Sequence, residues 1–165
     1  MIICDTDVMV AAAINDDAYH RQSVDLLTSL HLTGERILVP ATVAAEVGYM
    51  LGRDDHHDRE AEFLDSMADG TFSLVELAIV DYKRAAELVR QYANLPLGTT
   101  DATIMALCER LDLREVATLD HRHFTVVRLR HVDALHLPPT LRQSRGRSAH
   151  LSHVQADGAS TPSDD

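Results

Sequence analysis

Short apolar runs alternate along this chain with stretches whose apolar residues recur at helical spacing, which predicts strands and helices in turn. Met1 to Asp5 is an apolar run closed by an acid, the pattern of a buried parallel strand whose C-terminal end opens at an edge. Thr6 or Asp7 is placed to cap a short helix through about Ile14, and Asn15-Asp16-Asp17 supplies a turn and a second cap. Ala18 to His31 reads as a helix with Val24, Leu27 and Leu30 on one side, ended near Gly34. Ile37-Leu38-Val39 is a second buried strand, and Pro40 suits the first turn of a helix running to about Gly52, with Val43, Val47, Met50 and Leu51 on its stripe. Residues 54–58 are a polar break that puts His56 and His57 in a loop; another helix then runs to about Met67 and closes at Asp69-Gly70. Phe72 to Leu77 follows as a strand. A long amphipathic helix starts near Asp81 and turns Ala85, Leu88, Val89 and Tyr92 inward. Pro96 and Gly98 lead into a helix from Thr99 to Leu111; Val116 to Leu119 is the next strand and Val126 to Leu129 the last. The sum is an α/β fold with a mainly parallel sheet.

From about Gln143 the texture changes to small and polar residues with no period, so residues 143–165 are expected to form a disordered tail behind a single domain over residues 1–140. The chain has 165 residues and is 45% hydrophobic, enough for one real core, but only 4% aromatic, so that core is aliphatic and base-stacking platforms are few. Its formal charge of −11 argues against a broad basic surface holding nucleic acid by counterion release. The same charge is compatible with an enzyme whose metal ions supply the positive charge that a polyanionic substrate needs. Cys4 and Cys108 lie in apolar stretches and read as buried thiols of a reducing compartment. The first residues lack a basic leader and are interrupted by Asp5 and Asp7, so neither a signal peptide nor a membrane span is expected, and the protein reads as cytoplasmic.

Ligands of a parallel α/β sheet sit outside the carboxyl ends of the strands. Asp5 and Asp120 fall at such ends, and Asp101 stands in the first turn of its helix, where the helix dipole favours its ionised form. Glu46 lies beside an apolar helical stripe and either faces solvent or points into a polar pocket. Mg²⁺ and Mn²⁺ take oxygen ligands of this kind, and such ions activate water and hold charge in a phosphoryl displacement. Taken singly, each acid also has an ordinary reading: a turn residue, a helix-dipole partner, a solvated helix acid.

Four segments, IICDTDVMVAA, LVPATVAAEVGYML, GTTDATIMALCERL and VATLDHRHF, together with DDAYHRQSVDLL, stand in the order and at the distances of one known family. Over roughly residues 1–140 the chain resembles PIN-domain ribonucleases, specifically VapC-type toxins of type II toxin–antitoxin systems. That resemblance implies a PIN-like α/β/α sandwich with a central, mainly parallel sheet. It implies that Asp5 and Asp101 are the principal metal ligands, that Glu46 completes the site and that Asp120 acts through water. It also implies Mg²⁺- or Mn²⁺-dependent cleavage of RNA, a cognate antitoxin that occludes the site, and homodimers.

How RNA would be gripped stays open at this stage. Arg122, Arg128 and Arg130, with His121 and His123, are candidates for a phosphate-contacting edge near Asp120, or simply a solvated face. Thr100 and Thr118 are candidates for orienting carboxylates or water, and equally for a cap and a strand residue. Asp5-Thr6-Asp7-Val8 also fits the motif of phosphatases that use an aspartate nucleophile, with Asp5 attacking; that chemistry needs a phosphate-holding cation, and Lys83, the only lysine, falls mid-helix. A further alternative is an antitoxin-binding module without catalysis.

Overall fold

The computed structural model describes residues 1–53 and 56–138; the expected tail from residue 143 lies outside the described residues. The elements run β1 (Ile2–Cys4), α1 (Thr6–Ala13), α2 (His20–Leu32), β2 (Ile37–Pro40), α3 (Ala41–Arg53), α4 (His57–Ala68), β3 (Ser73–Val75), α5 (Ile79–Gln91), α6 (Thr99–Leu111), β4 (Val116–Ala117) and α7 (His121–Val126). All pairings are parallel, in the order β3-β2-β1-β4. Ile3 aligns with Leu38 on one side and Val116 on the other. Successive strands β1, β2 and β3 build outward in one direction, while β4 is added on the opposite side of β1. The direction of winding therefore reverses between β1 and β4, and this is where an open parallel sheet forms its crevice.

Ile2, Ile3, Cys4, Val116 and Ala117 have no exposed surface, so the centre of the sheet is covered on both faces, as its continuous apolar runs require. α6 is the most deeply packed helix, with every residue from Ala102 to Cys108 buried. Burial raises the Cys108 thiol to about 12, which makes it an inert core residue, and Cys4 is likewise free and buried. Among the described residues, no helix is long and apolar enough to cross a membrane.

Several local expectations are corrected. The last strand expected at Val126–Leu129 is absent: Asp120 caps a short helix instead, and the edge of β4 is completed by the Glu115–His136 bridge and by the Thr118 amide donating to the Pro138 carbonyl. His57 opens α4 rather than lying in a loop. Val24 and Val89 are exposed, and α2 packs through Leu26, Leu27 and Leu30. α5 begins at Ile79, and Asp81 is a buried residue of its first turn, accepting from the Ala78 amide and from Arg110.

Candidate active site

The residue capping α1 is Asp5 itself, rather than Thr6 or Asp7. It leaves the end of β1 with only 5% of its surface exposed; Oδ1 accepts from the Thr6 amide at 2.7 Å and Oδ2 from the Thr118 hydroxyl at 2.8 Å. Asp120 leaves the neighbouring end of β4 and caps α7, its Oδ1 accepting from the Arg122 amide at 2.9 Å. Asp101 sits in the first turn of α6, where Oδ2 accepts from the Gly98 amide at 3.2 Å. Glu46 reaches in from α3, and its Oε2 accepts from the Thr6 hydroxyl at 2.7 Å. The acids thus come from two strand ends and two helices around the β1–β4 crevice.

Several of these acids influence one another's proton affinity. Burial, and then the Asp7 carboxylate, push Asp5 up to about 8 against hydrogen bonds from Thr118 and Thr6, and the Asp101 charge adds to the rise. Asp101 is also raised, chiefly by burial; the Gly98 amide and His123 oppose the rise, while the charges of Asp120 and Glu46 add to it. Asp101 is therefore within electrostatic reach of Asp5, Asp120 and Glu46 alike. Carboxylates are the hard-oxygen donors that suit Mg²⁺ or Mn²⁺, and a cation is what would relieve the repulsion that Asp5 and Asp101 feel. Among the described residues, no three acid, imidazole or thiol groups are drawn in tightly enough to hold an ion. The acids stand apart. The His123 Nδ1 lies 3.0 Å from Asp101 Oδ2 and 3.3 Å from Asp120 Oδ2, close in distance but without the alignment of a hydrogen bond.

Three residues that the sequence offers in other roles, Thr6 and Asp7 as caps and His123 in a basic edge, also stand at the site. Thr6 orients Glu46, and His123 stands between Asp101 and Asp120. Asp7 turns its Oδ2 onto the Leu119 and Asp120 amides at 2.9 and 2.8 Å, and its own proton affinity is raised by burial against those bonds. The signal available for Asp7 was its spacing of two from Asp5 in the first turn of a helix that starts at the crevice.

The PIN-domain family model matches residues 2–129. The chain is a PIN-domain protein. It is 28% identical over 130 residues to the ribonuclease VapC26 of Mycobacterium tuberculosis, an alignment covering 77% of this chain and 92% of that relative. Its fold is similar to the crystal structure of Mycobacterium tuberculosis VapC20, titled a toxin that cleaves the sarcin–ricin loop, with a TM-score of 0.67, 17% identity, and 74% of this chain and 92% of that one covered. VapBC2 of Rickettsia felis, solved with a DNA fragment from its promoter, gives a TM-score of 0.59 at 18% identity, covering 83% and 97%.

Within this PIN domain, the Thr118 hydroxyl donates to the Asp5 carboxylate, and the Thr100 carbonyl accepts from Thr103 within α6. Arg122, Arg128 and Arg130 are exposed. The Arg130 guanidinium pairs with Glu87 and that of Arg128 donates to the Asp133 carbonyl, while the backbone amides of Arg122, Arg128 and Arg130 donate to Asp120, Tyr92 and Glu109. Beside the acids, an open groove of about 420 Å³ is lined by Asp7, Val10, Ala11, Asp17, Tyr19, Met50, Leu119 and Asp120.

Proposed function

We propose that this PIN domain is an endoribonuclease dependent on Mg²⁺ or Mn²⁺ and acts as the toxin of a toxin–antitoxin pair. The observation that carries the reading is the electrostatic convergence of Asp5, Glu46 and Asp120 on Asp101 at the β1–β4 crevice. Asp5 and Asp101 would be the principal ligands, with Glu46 and Asp120 completing the site, Asp120 through water. A bound divalent ion would activate water and neutralise charge developing on the phosphodiester. The chain's own contribution is positioning: Thr118 and the Thr6 amide fix the two oxygens of Asp5, and Thr6 aims Glu46. The relatives named as a ribonuclease and an RNA-cleaving toxin support RNA as the substrate. An RNA substrate and the lack of a membrane-crossing helix among the described residues fit a cytoplasmic protein.

The partner proposed for the acid-lined groove is the cognate antitoxin. With Asp7, Asp17 and Asp120 beside Tyr19 and no basic residue in its lining, the groove suits a cationic side chain on an apolar stem. A homodimer is proposed as well; the exposed Ile79, Val80 and Tyr82 at the start of α5 are apolar surface that such contact would cover. The phosphatase alternative fits poorly: it needs a phosphate-holding cation, and Lys83 lies in α5.

The test is incubation of purified protein with bulk RNA and Mg²⁺ or Mn²⁺, alongside Asp5→Asn and Asp101→Asn. The expected result is cleavage that needs the ion and disappears in both variants. Equal cleavage by wild type and variants would overturn the reading.

A further inference from the structure

β4 is only two residues long, and its ladder to β1 ends where the Asp5 amide donates to the Ala117 carbonyl at 2.9 Å. Beyond that bond the Thr118 amide donates to the Pro138 carbonyl, and the next two amides share one carboxylate oxygen. Asp7 Oδ2 accepts from Leu119 N at 2.9 Å and from Asp120 N at 2.8 Å, across 112 and 113 positions of chain, and Asp120 N also lies 3.1 Å from Thr118 Oγ1. The Thr118 hydroxyl, which donates to Asp5, also lies 3.3 Å from this oxygen. Asp7 Oδ1 is turned to the start of its own helix and accepts from Val8 N at 2.7 Å. Oδ2, with two amides and the Thr118 hydroxyl around it, has no lone pair left over, an arrangement suited to holding a turn rather than to coordinating an ion.

We infer that Asp7 is a positioning residue: it ties the turn after β4 to α1 and so sets where the Asp120 carboxylate stands relative to Asp5. The catalytic half of this inference rests on the nuclease reading; the tether itself does not. An aspartate costs something here, because its charge adds to that of Asp5. An asparagine can present its carbonyl oxygen to the same two amides without that charge, at the loss of the Val8 bond, because its NH2 group cannot accept from the Val8 amide. Asn therefore keeps the tether while giving up the cap bond, whereas a metal ligand does not tolerate the exchange.

The experiment compares wild type, Asp7→Asn and Asp7→Ala, each checked for folding by circular dichroism. Three readouts are taken: hydrogen exchange of the Leu119 and Asp120 amides in metal-free protein, Mn²⁺ affinity by calorimetry, and kcat and KM on RNA. Asp7→Ala is expected to speed exchange of the Leu119 amide at least about 10-fold, the loss of roughly one charge-assisted hydrogen bond, and that of the Asp120 amide less, since Thr118 Oγ1 still accepts from it. It should lower kcat by a similar factor with KM changed less than about 3-fold. Asp7→Asn is expected to stay within about 3-fold of wild type in exchange and kcat, while the lost charge shifts Mn²⁺ affinity by less than about 10-fold. Mn²⁺ binding weakened at least about 10-fold in Asp7→Asn would make Asp7 a ligand and overturn the inference, as would unchanged exchange in Asp7→Ala. If wild type cleaves no RNA, the nuclease reading fails, and exchange and Mn²⁺ affinity still decide the tether.

Discussion

The Thr118 hydroxyl donates to Asp5 Oδ2 at 2.8 Å, joining the last turn of the site to the first strand across 113 positions of sequence. Asp5 is buried among other acids, so each donor to its carboxylate offsets part of the cost of its charge. Thr118→Val removes that donor at nearly constant shape. A hydrogen bond to a charged group contributes about 1.5–3 kcal/mol, so apparent Mn²⁺ affinity at neutral pH is expected to fall at least about 10-fold. Thr118→Ser should restore most of it, and calorimetric titration of the three proteins checks this.

The raised proton affinity of Asp5 gives a pH dependence whose sign is fixed. An unfolded aspartate has the ordinary value of 3.8, while the folded one is pushed up to about 8. Between these the native state holds a proton that the unfolded state has lost, so metal-free stability falls as pH rises from about 4 to 8. The slope for one such proton is up to about 1.4 kcal/mol per pH unit. Denaturant melts of metal-free protein across this range should show the decline, and Asp5→Asn should flatten it. Mn²⁺ binding at neutral pH should release protons, seen as a binding heat that changes with the buffer's ionisation enthalpy.

His123 Nδ1 stands between Asp101 and Asp120, 3.0 Å and 3.3 Å from their Oδ2 atoms. On the proposed metal reading its imidazole would compete with an ion for Asp101 Oδ2. His123→Ala is therefore expected to tighten Mn²⁺ binding by about 5-fold, the equivalent of roughly 1 kcal/mol. It should also lower the Tm of metal-free protein. Weaker Mn²⁺ binding in this variant would instead make His123 a supporting group of the loaded site.

Far from the crevice, Arg110 Nε lies 2.8 and 3.0 Å from the two oxygens of Asp81, whose side chain is 2% exposed. Arg110→Ala strands a buried charge and should destabilise the fold by about 2–3 kcal/mol, discounted because the arginine is partly exposed. Asp81→Asn combined with Arg110→Ala should cost less than Arg110→Ala alone. Chemical denaturation measures both, and RNA cleavage by properly folded variants should be unchanged.

The parts of this fold that showed in the sequence are those where one residue type answers one local demand. Ile2 to Cys4 read as a doubly covered strand because every position is apolar, and Asp101 read as a helix-start acid because Gly98 and the threonines precede it. Asp5 and Asp120 followed from the rule that parallel strands deliver ligands at their carboxyl ends. Val126–Leu129 was misjudged because an apolar run carries no label of its partner: the segment after Asp120 turns into α7, and His136 supplies the edge contact. The partners of Asp7, Thr6 and His123 did not show in the sequence for a related reason. Their roles are bonds or close approaches to residues many positions away, and no local period records them.

Direct titration of Mn²⁺ into metal-free wild type, Asp5→Asn, Asp101→Asn and a distant acid control, Glu62→Gln, is the most direct test that the converging carboxylates form one cation site. Wild type and Glu62→Gln should bind alike, with at least about 10-fold weaker binding in each of the other two, since each loses a charged ligand. Equal affinity in all four proteins would mean that the crevice acids do not hold the ion.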